Sequence, residues 1–340
     1  MAVPFDLENL QVRGEPQPVL QGVSMQSLFG QVQVSFSDTG TLVYSPGGDT
    51  AVGRIARVDR QGKTELLPVP ERIYGVFDLS PNNQQLAVQV ADVNDYIWIY
   101  DLQRGEGHRL VGTGQNGWPK WNRSGDGIAV TVRDAEQISL VERRLDIQEE
   151  REFTRGDYLT LSAGDWSPDG SILSLHDFSQ GRLGFVSTER ESEGRWLEPP
   201  PGVHYWSGTF SPDGRWLAHG SDETGQEEIW IRSFPDGERV HQISTDGGLE
   251  PVLADSGELF YHLNTGWSVV RITTDPQPQW DPPELAFETE YVDTPGLSYD
   301  VSNDGRYLYV VKSSHPADPT RLNVVHNWFD ELRRLVPTDR

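Results

Sequence analysis

The sequence predicts an all-β protein, a β-propeller of four-stranded antiparallel blades, and two observations carry that prediction. A short Ser/Pro/Asp/Gly turn recurs seven times at nearly constant spacing. The composition is also poor in aliphatic residues but rich in turn formers and aromatics, with 34 Gly, 23 Pro and 11 Trp in 340 residues. Such a balance suits many short strands joined by tight turns.

Each turn follows an apolar anchor. The copies are Phe36-Ser-Asp-Thr-Gly40, Leu79-Ser-Pro-Asn-Asn83, Trp121-Asn-Arg-Ser-Gly125, Trp166-Ser-Pro-Asp-Gly170, Phe210-Ser-Pro-Asp-Gly214, Leu253-Ala-Asp-Ser-Gly257 and Val301-Ser-Asn-Asp-Gly305. Successive anchors lie 43, 42, 45, 44, 43 and 48 residues apart, a period typical of propeller blades. Within the fifth copy Tyr205 to Phe210 reads as a first strand, and proline, aspartate and glycine turn the chain. Arg215 to His219, Glu228 to Phe234 and Glu238 to Ile243 supply the other three strands. Leucine ladders and 3.6-residue periodicity are missing, which excludes the common solenoids.

Seven anchors predict seven blades, with six as the alternative, in one domain over residues 1–340. Strands within 2–20 are expected to complete the last blade (297–327). Residues 328–336 predict a short helix, with Trp328, Leu332 and Leu335 on one face and Pro337 beyond its end.

Twenty-eight Lys and Arg against 52 Asp and Glu give a net charge of −24. That excludes nucleic acid as a partner, because phosphates need clustered cations. The absence of cysteine excludes disulfides and thiolate chemistry. No run approaches the ~20 apolar residues of a membrane span, so no membrane insertion is expected. No signal peptide is read at Met1-Ala-Val-Pro-Phe-Asp6, and the compartment is left unassigned.

The Ser-Pro-Asp-Gly turns and Ile-Trp-Ile third strands resemble those of TolB-type (WD-like) bacterial propellers. More narrowly, three passages resemble the sensor region of receptor-type bacterial serine/threonine kinases. They are Ala2-Val-Pro-Phe-Asp6 with Gly14-Glu-Pro16, Phe210 to Ala218 with Ser221-Asp-Glu223, and Asn323 to Leu332. That resemblance implies a binding propeller cut from a longer protein, although no kinase motif is present.

Gly-x-Ser-x-Gly, His-Glu-x-x-His, the P-loop and the dinucleotide fingerprint are all missing, so chemistry is sought in the channel. The residues just before the anchors are Ser35, Asp78, Lys120, Asp165, Thr209, Val252 and Asp300. Two positions earlier lie Gln33, Val76, Trp118, Ala163, Ser207, Glu250 and Ser298. Converging on an axis, Asp78, Asp165, Glu250 and Asp300 are expected to offer carboxylates to Ca²⁺ or Mg²⁺. The competing expectation is that they hydrogen-bond neighbouring strands.

His204 is the candidate general base at the mouth, and Trp118, Tyr158, Tyr205 and Trp206 are the candidate ligand contacts there. His219 and His262, at matching second-strand positions, suggest either a metal pair or packing between blades. Asp92-Val-Asn-Asp95 resembles half a calcium loop but reads better as a solvated turn. Two functions follow. The first is a binding module for a protein, peptide or small molecule, without catalytic motif. The alternative is a divalent-metal-dependent hydrolase acting on esters, lactones or phosphotriesters in the funnel.

Overall fold

The protein is described from a computed structural model, for all residues except 92–94, 111, 113, 135–136, 148, 190–193, 264–265, 276, 316–319 and 337–340. Most of the Asp92–Asp95 turn and Pro337 therefore lie outside the described residues. The chain divides into two compact units, residues 54–312 and residues 1–53 with 313–340.

The larger unit is built from the repeats. Blade 1 comprises Arg72–Leu79, Gln85–Val90, Tyr96–Asp101 and Gly107–Arg109. Blades 2, 3 and 4 begin at Gln115–Trp121, Leu161–Trp166 and Tyr205–Phe210, and each is a four-stranded antiparallel sheet. Blade 5 opens with Leu249–Leu253; its third strand, Gly266–Thr273, pairs with two outer pieces, Gln279–Trp280 and Glu284–Phe287. Blade 6 takes Tyr299–Val301 and Tyr307–Ser313 from late in the chain. Its remaining strands are Val52–Asp59 and Thr64–Leu66, from early in the chain.

The first strands of blades 1 to 5 are neighbours in order, and that of blade 6 returns to blade 1. Tyr299 Oη donates to the Glu250 carbonyl at 2.6 Å across the remaining junction, from blade 6 to blade 5. The ring thus has six blades, closed by a strand from one end of the repeats against strands from the other, which removes free edges at the seam.

The turn chemistry explains why the sequence folds locally this way. In the turns after Trp166, Phe210 and Val301 the serine hydroxyl donates to the aspartate two residues on, at 2.6–2.7 Å. Its oxygen also accepts the N–H of the residue that begins the next strand. The closing glycines have φ near 70°, a conformation that costs a side chain roughly 1–2 kcal/mol. Between sheets the strands bury alternate apolar residues: Trp216, Ile229, Ile231 and Tyr261 join blades 4 and 5, and Trp267, Phe260, Tyr299 and Val310 join blades 5 and 6.

The smaller unit contains the first anchor. Val34–Phe36, Leu42–Tyr44 and Asn323–Val325 form a three-stranded sheet. The helix Trp328–Leu335 starts where the Trp328 N–H meets the Gly40 carbonyl. The seventh expected blade is therefore a three-stranded sheet of this unit. Phe5–Asp6 pairs with Gln11–Val12, and Ala2 bridges Gln17, so residues 2–20 pair among themselves. The place beside Tyr307–Ser313 expected for them is held by Val52–Asp59, whose eight residues offer a longer ladder than these two-residue strands.

Because its own strands close the ring, a fragment of residues 54–312 is expected to fold alone. It should give a β-dominated circular dichroism spectrum and one cooperative melt. A fragment that aggregates or melts without cooperativity would restore the single domain expected over 1–340.

Candidate functional site

Six first strands converging on one axis create the channel. Each inner strand pairs outward, toward its own second strand (that of blade 1 also borders Val52–Asp59 of blade 6). Its other side must be satisfied by the next blade, and the pre-anchor side chains do this. Asp78 Oδ2 accepts the Trp121 N–H at 2.7 Å, Asp165 Oδ2 that of Phe210 at 2.9 Å, and Asp300 Oδ2 that of Leu79 at 2.7 Å. Thr209 Oγ1 accepts more weakly from the Leu253 N–H at 3.4 Å. Where Lys120 occupies the position, Arg123 instead donates to the Trp166 carbonyl at 3.0 Å. Each bond runs from one blade to the anchor residue of the next.

The anchors are preceded by a kink. Register shifts interrupt the inner strands of blades 2 to 5, between Gly117 and Lys120, Ala163 and Trp166, Trp206 and Thr209, and Leu249 and Val252. Trp118, Ser207 and Glu250 sit in these bulges at φ of 47°, 45° and 54°. Left-handed backbone at three non-glycine residues in equivalent positions is strain that the surrounding ring has to hold.

Inside the ring lies a cavity of about 200 Å³. Asp78, Lys120, Asp165, Thr209, Val252 and Asp300 line it, with Val76, Trp118, Ala163 and Ser207 from the second predicted set. At the level of the turns its walls are Pro81, Arg123, Asp255 and Asn303; where the inner strands begin they are Trp118, Phe178, Gly296 and Leu297. Trp118 and Phe178 face each other with ring centroids 6.1 Å apart, and the His176 ring lies 3.8 Å from that of Phe178.

Charge is concentrated across the middle. Lys120 Nζ donates to Asp78 Oδ1 at 2.7 Å. Burial works against the Lys120 charge, but Asp78, Asp165 and Asp300 outweigh it and raise its pKa. Burial raises the Asp78 pKa against the pull of Lys120. Asp300 is pushed up to about 7, by burial and then by the Asp78 charge. The protein thus places its own ammonium among the carboxylates where a cation was expected.

The fourth expected ligand, Glu250, is turned elsewhere. It accepts the Ser298 N–H at 2.9 Å and the Ser298 hydroxyl at 3.2 Å. Burial, with a further contribution from Asp293, pushes its carboxyl up to about 8. Among the described residues no three His, Asp or Glu side chains are grouped to hold a metal ion. His204 lies outside the cavity lining: it is exposed, with Nδ1 2.9 Å from Asp222 Oδ2 and its ring 5.9 Å from Trp206. Tyr205 is buried and its hydroxyl accepts from Arg232, while Tyr158 packs on Trp196. Neither these two nor Trp206 lines the cavity.

His219 is fully buried, with Arg232 Nε donating to Nε2 at 2.9 Å, and His262 meets the Tyr291 hydroxyl at 2.9 Å. They have separate partners and packing roles.

The residues that sequence reasoning did not single out for the channel are His176 and Phe178, at the end of the second strand of blade 3. His176 is only 2 % exposed, and neither of its ring nitrogens has a hydrogen-bond partner of normal geometry. Burial pushes its pKa down to about 4; the Asp177 charge and the Tyr205 main chain oppose this only in part. His176 thus contributes to the cavity lining as a buried, neutral imidazole. The signal was faint, since His176 is one of eight scattered histidines.

No family model and no curated protein matches the chain. Solved structures match its fold. A putative TolB from Agrobacterium tumefaciens is 17 % identical with a TM-score of 0.59, covering 77 % of this chain and 98 % of that one. TolB from Acinetobacter baumannii is 16 % identical with a TM-score of 0.51, covering 79 % and 65 %. An oligogalacturonate lyase in complex with manganese is 13 % identical with a TM-score of 0.54, covering 86 % and 90 %. At these identities the likeness is one of fold: the chain has a TolB-like propeller architecture. Nothing in the comparisons connects it to receptor kinases.

Two outcomes test the electrostatics. Lys120→Met leaves buried carboxylates without their cation, so a loss of about 3–5 kcal/mol is expected in urea unfolding, and Asp78→Asn in the same chain should recover part of it. The second concerns Glu250, whose pKa is raised from 4.5 to about 8. A raised carboxyl keeps its proton longer when folded, so its contribution is complete below pH 4.5 and declines as pH rises to about 8. Relative to Glu250→Gln, the parent should lose stability across that window, and a pH-independent difference would disprove the assignment.

Proposed function

We propose that this chain is a non-catalytic binding module, a propeller that takes a small ligand into its central channel. The observation that carries this reading is the cavity of about 200 Å³ at the centre of the ring, lined by Trp118 and Phe178 as well as by Lys120 and three aspartates. The adjoining aromatic wall of Trp118 and Phe178 supplies contact area of the kind small-molecule sites use. The TolB-like architecture accords with a binding role, although propeller neighbours also include enzymes, so the fold does not choose between them.

The finer resemblance to kinase sensor regions, and a protein or peptide as partner, belong to the same reading. No helix among the described residues is long and apolar enough to cross a membrane.

The metal-dependent hydrolase is the second reading, favoured by three carboxylates in one channel. Lys120 weighs against it, because its ammonium and the backbone N–H donors already use the oxygens that a cation would need.

The test is a thermal-shift screen of a chemically diverse small-molecule library, repeated on His176→Phe and Trp118→Ala. Saturable stabilisation that disappears in both variants is expected. Stabilisation retained in both would place the ligand elsewhere. Millimolar chelator should leave the melting temperature unchanged; a fall together with stoichiometric metal by mass spectrometry would favour the hydrolase.

A further inference from the structure

We propose that the strand Val34–Phe36 of the smaller unit pairs with the same strand of a second copy of this chain, about a two-fold axis through Ser35. In the six repeats of the ring the anchor side chain is covered. Leu79, Trp121, Trp166, Phe210 and Val301 are at most 7 % exposed, and Leu253 packs against the core between blades 4 and 5. Phe36, the anchor of the remaining repeat, is 65 % exposed, although the Phe329 ring meets it edge-on at 6.3 Å. Val32 and Val34 are exposed as well, and all three alternate with Gln33, Ser35 and Ser37. That is the pattern of a strand with one apolar face to bury. The pairing is independent of the channel reading above.

The edge of this strand is open too. Val34–Phe36 stands at the end of its three-stranded sheet and, among the described residues, pairs only with Leu42–Tyr44. The Ser37 N–H bonds the Thr41 carbonyl, and the Ser45 N–H bonds the Gln33 carbonyl. Bonded pairs alternate along an antiparallel ladder. Ser35 therefore bonds inward to Val43, while the N–H and C=O groups of Val34 and Phe36 point outward. Lysine, proline and a bulge, the usual guards of such an edge, are all missing from Val34–Phe36.

An open edge bonds to main chain, so its partner is another strand. Antiparallel pairing centred on Ser35 sets Val34 opposite the second copy's Phe36, and Phe36 opposite its Val34. The outward N–H and C=O groups of both copies are then satisfied, and a β-branched residue meets an aromatic one twice. This is the self-complementarity that a two-fold dimer requires. Charge selects the same contact. The chain carries −24 overall, so two copies repel, yet Asp38 is the only charged residue between positions 16 and 48. Along this edge the copies approach without setting like charges against each other.

The test is the mass of the intact protein by sedimentation equilibrium over a concentration series. The parent should approach twice its chain mass of 38.2 kDa as concentration rises. Val34→Lys, which sets a charge on the edge, should raise the dissociation constant at least tenfold. Ser35→Cys covers the case in which that variant fails to fold. Opposed residues of a non-hydrogen-bonded antiparallel pair have Cα atoms about 4.5 Å apart, within disulfide reach, and the chain has no cysteine of its own. Mild oxidation should therefore link Ser35→Cys into a dimer faster than Thr64→Cys, an exposed control in the larger unit. A monomer at every concentration overturns the inference. So does a folded Val34→Lys that dimerises like the parent, or a Ser35→Cys that links no faster than Thr64→Cys. A monomer that dimerises once residues 1–20 are deleted would show that the chain's own N-terminus covers the edge, and polymers without a dimer would show head-to-tail pairing. Either result rules out the two-fold pair.

Discussion

The larger unit depends on one interaction repeated in four of its six blades, a side-chain oxygen before the anchor accepting the N–H of the next blade's anchor. Inner strands cannot pair sideways with one another, because propeller blades stand face to face. Without Asp78, Asp165, Asp300 and Thr209, main-chain donors at the axis would be buried with no partner, and each would forfeit roughly 1–3 kcal/mol. A carboxylate suits this place because it accepts at two oxygens. Asp165 and Asp300 each hold their own anchor's N–H on one oxygen and the next blade's on the other.

That solution creates a problem, which Lys120 answers. Several carboxylates facing one narrow channel repel one another, and burial sharpens the repulsion. Nature's choices here are a bound cation, protonation or an internal ammonium. The chain uses the last, with partial recourse to the second in the raised pKa of Asp300. Stability and site chemistry are therefore coupled. The residues that hold the blades together also set the charge that lines the channel.

Above those charges the bulges take over. A left-handed residue in the inner strand shifts the register, and at Trp118 it accompanies a side chain that lines the cavity opposite Phe178. These strained positions are where local preference and the fold disagree.

The sequence by itself determined the repeat, the four-strand grammar and the turns, because a Ser-Pro-Asp-Gly turn is encoded in four adjacent residues by φ preference and local hydrogen bonds. It also determined which positions converge, since Asp78, Lys120, Asp165 and Asp300 share one place in the period. Tertiary structure decided what those side chains do. Whether a carboxylate meets a cation, a lysine or a neighbour's N–H depends on blade-to-blade distances that no local pattern records. It also decided that Val52–Asp59 completes the last blade, because strand pairing over some 250 residues of separation is set by ladder length and burial. And it brought His176 and Phe178 to the channel, since a histidine's meaning lies in what surrounds it, which only packing supplies.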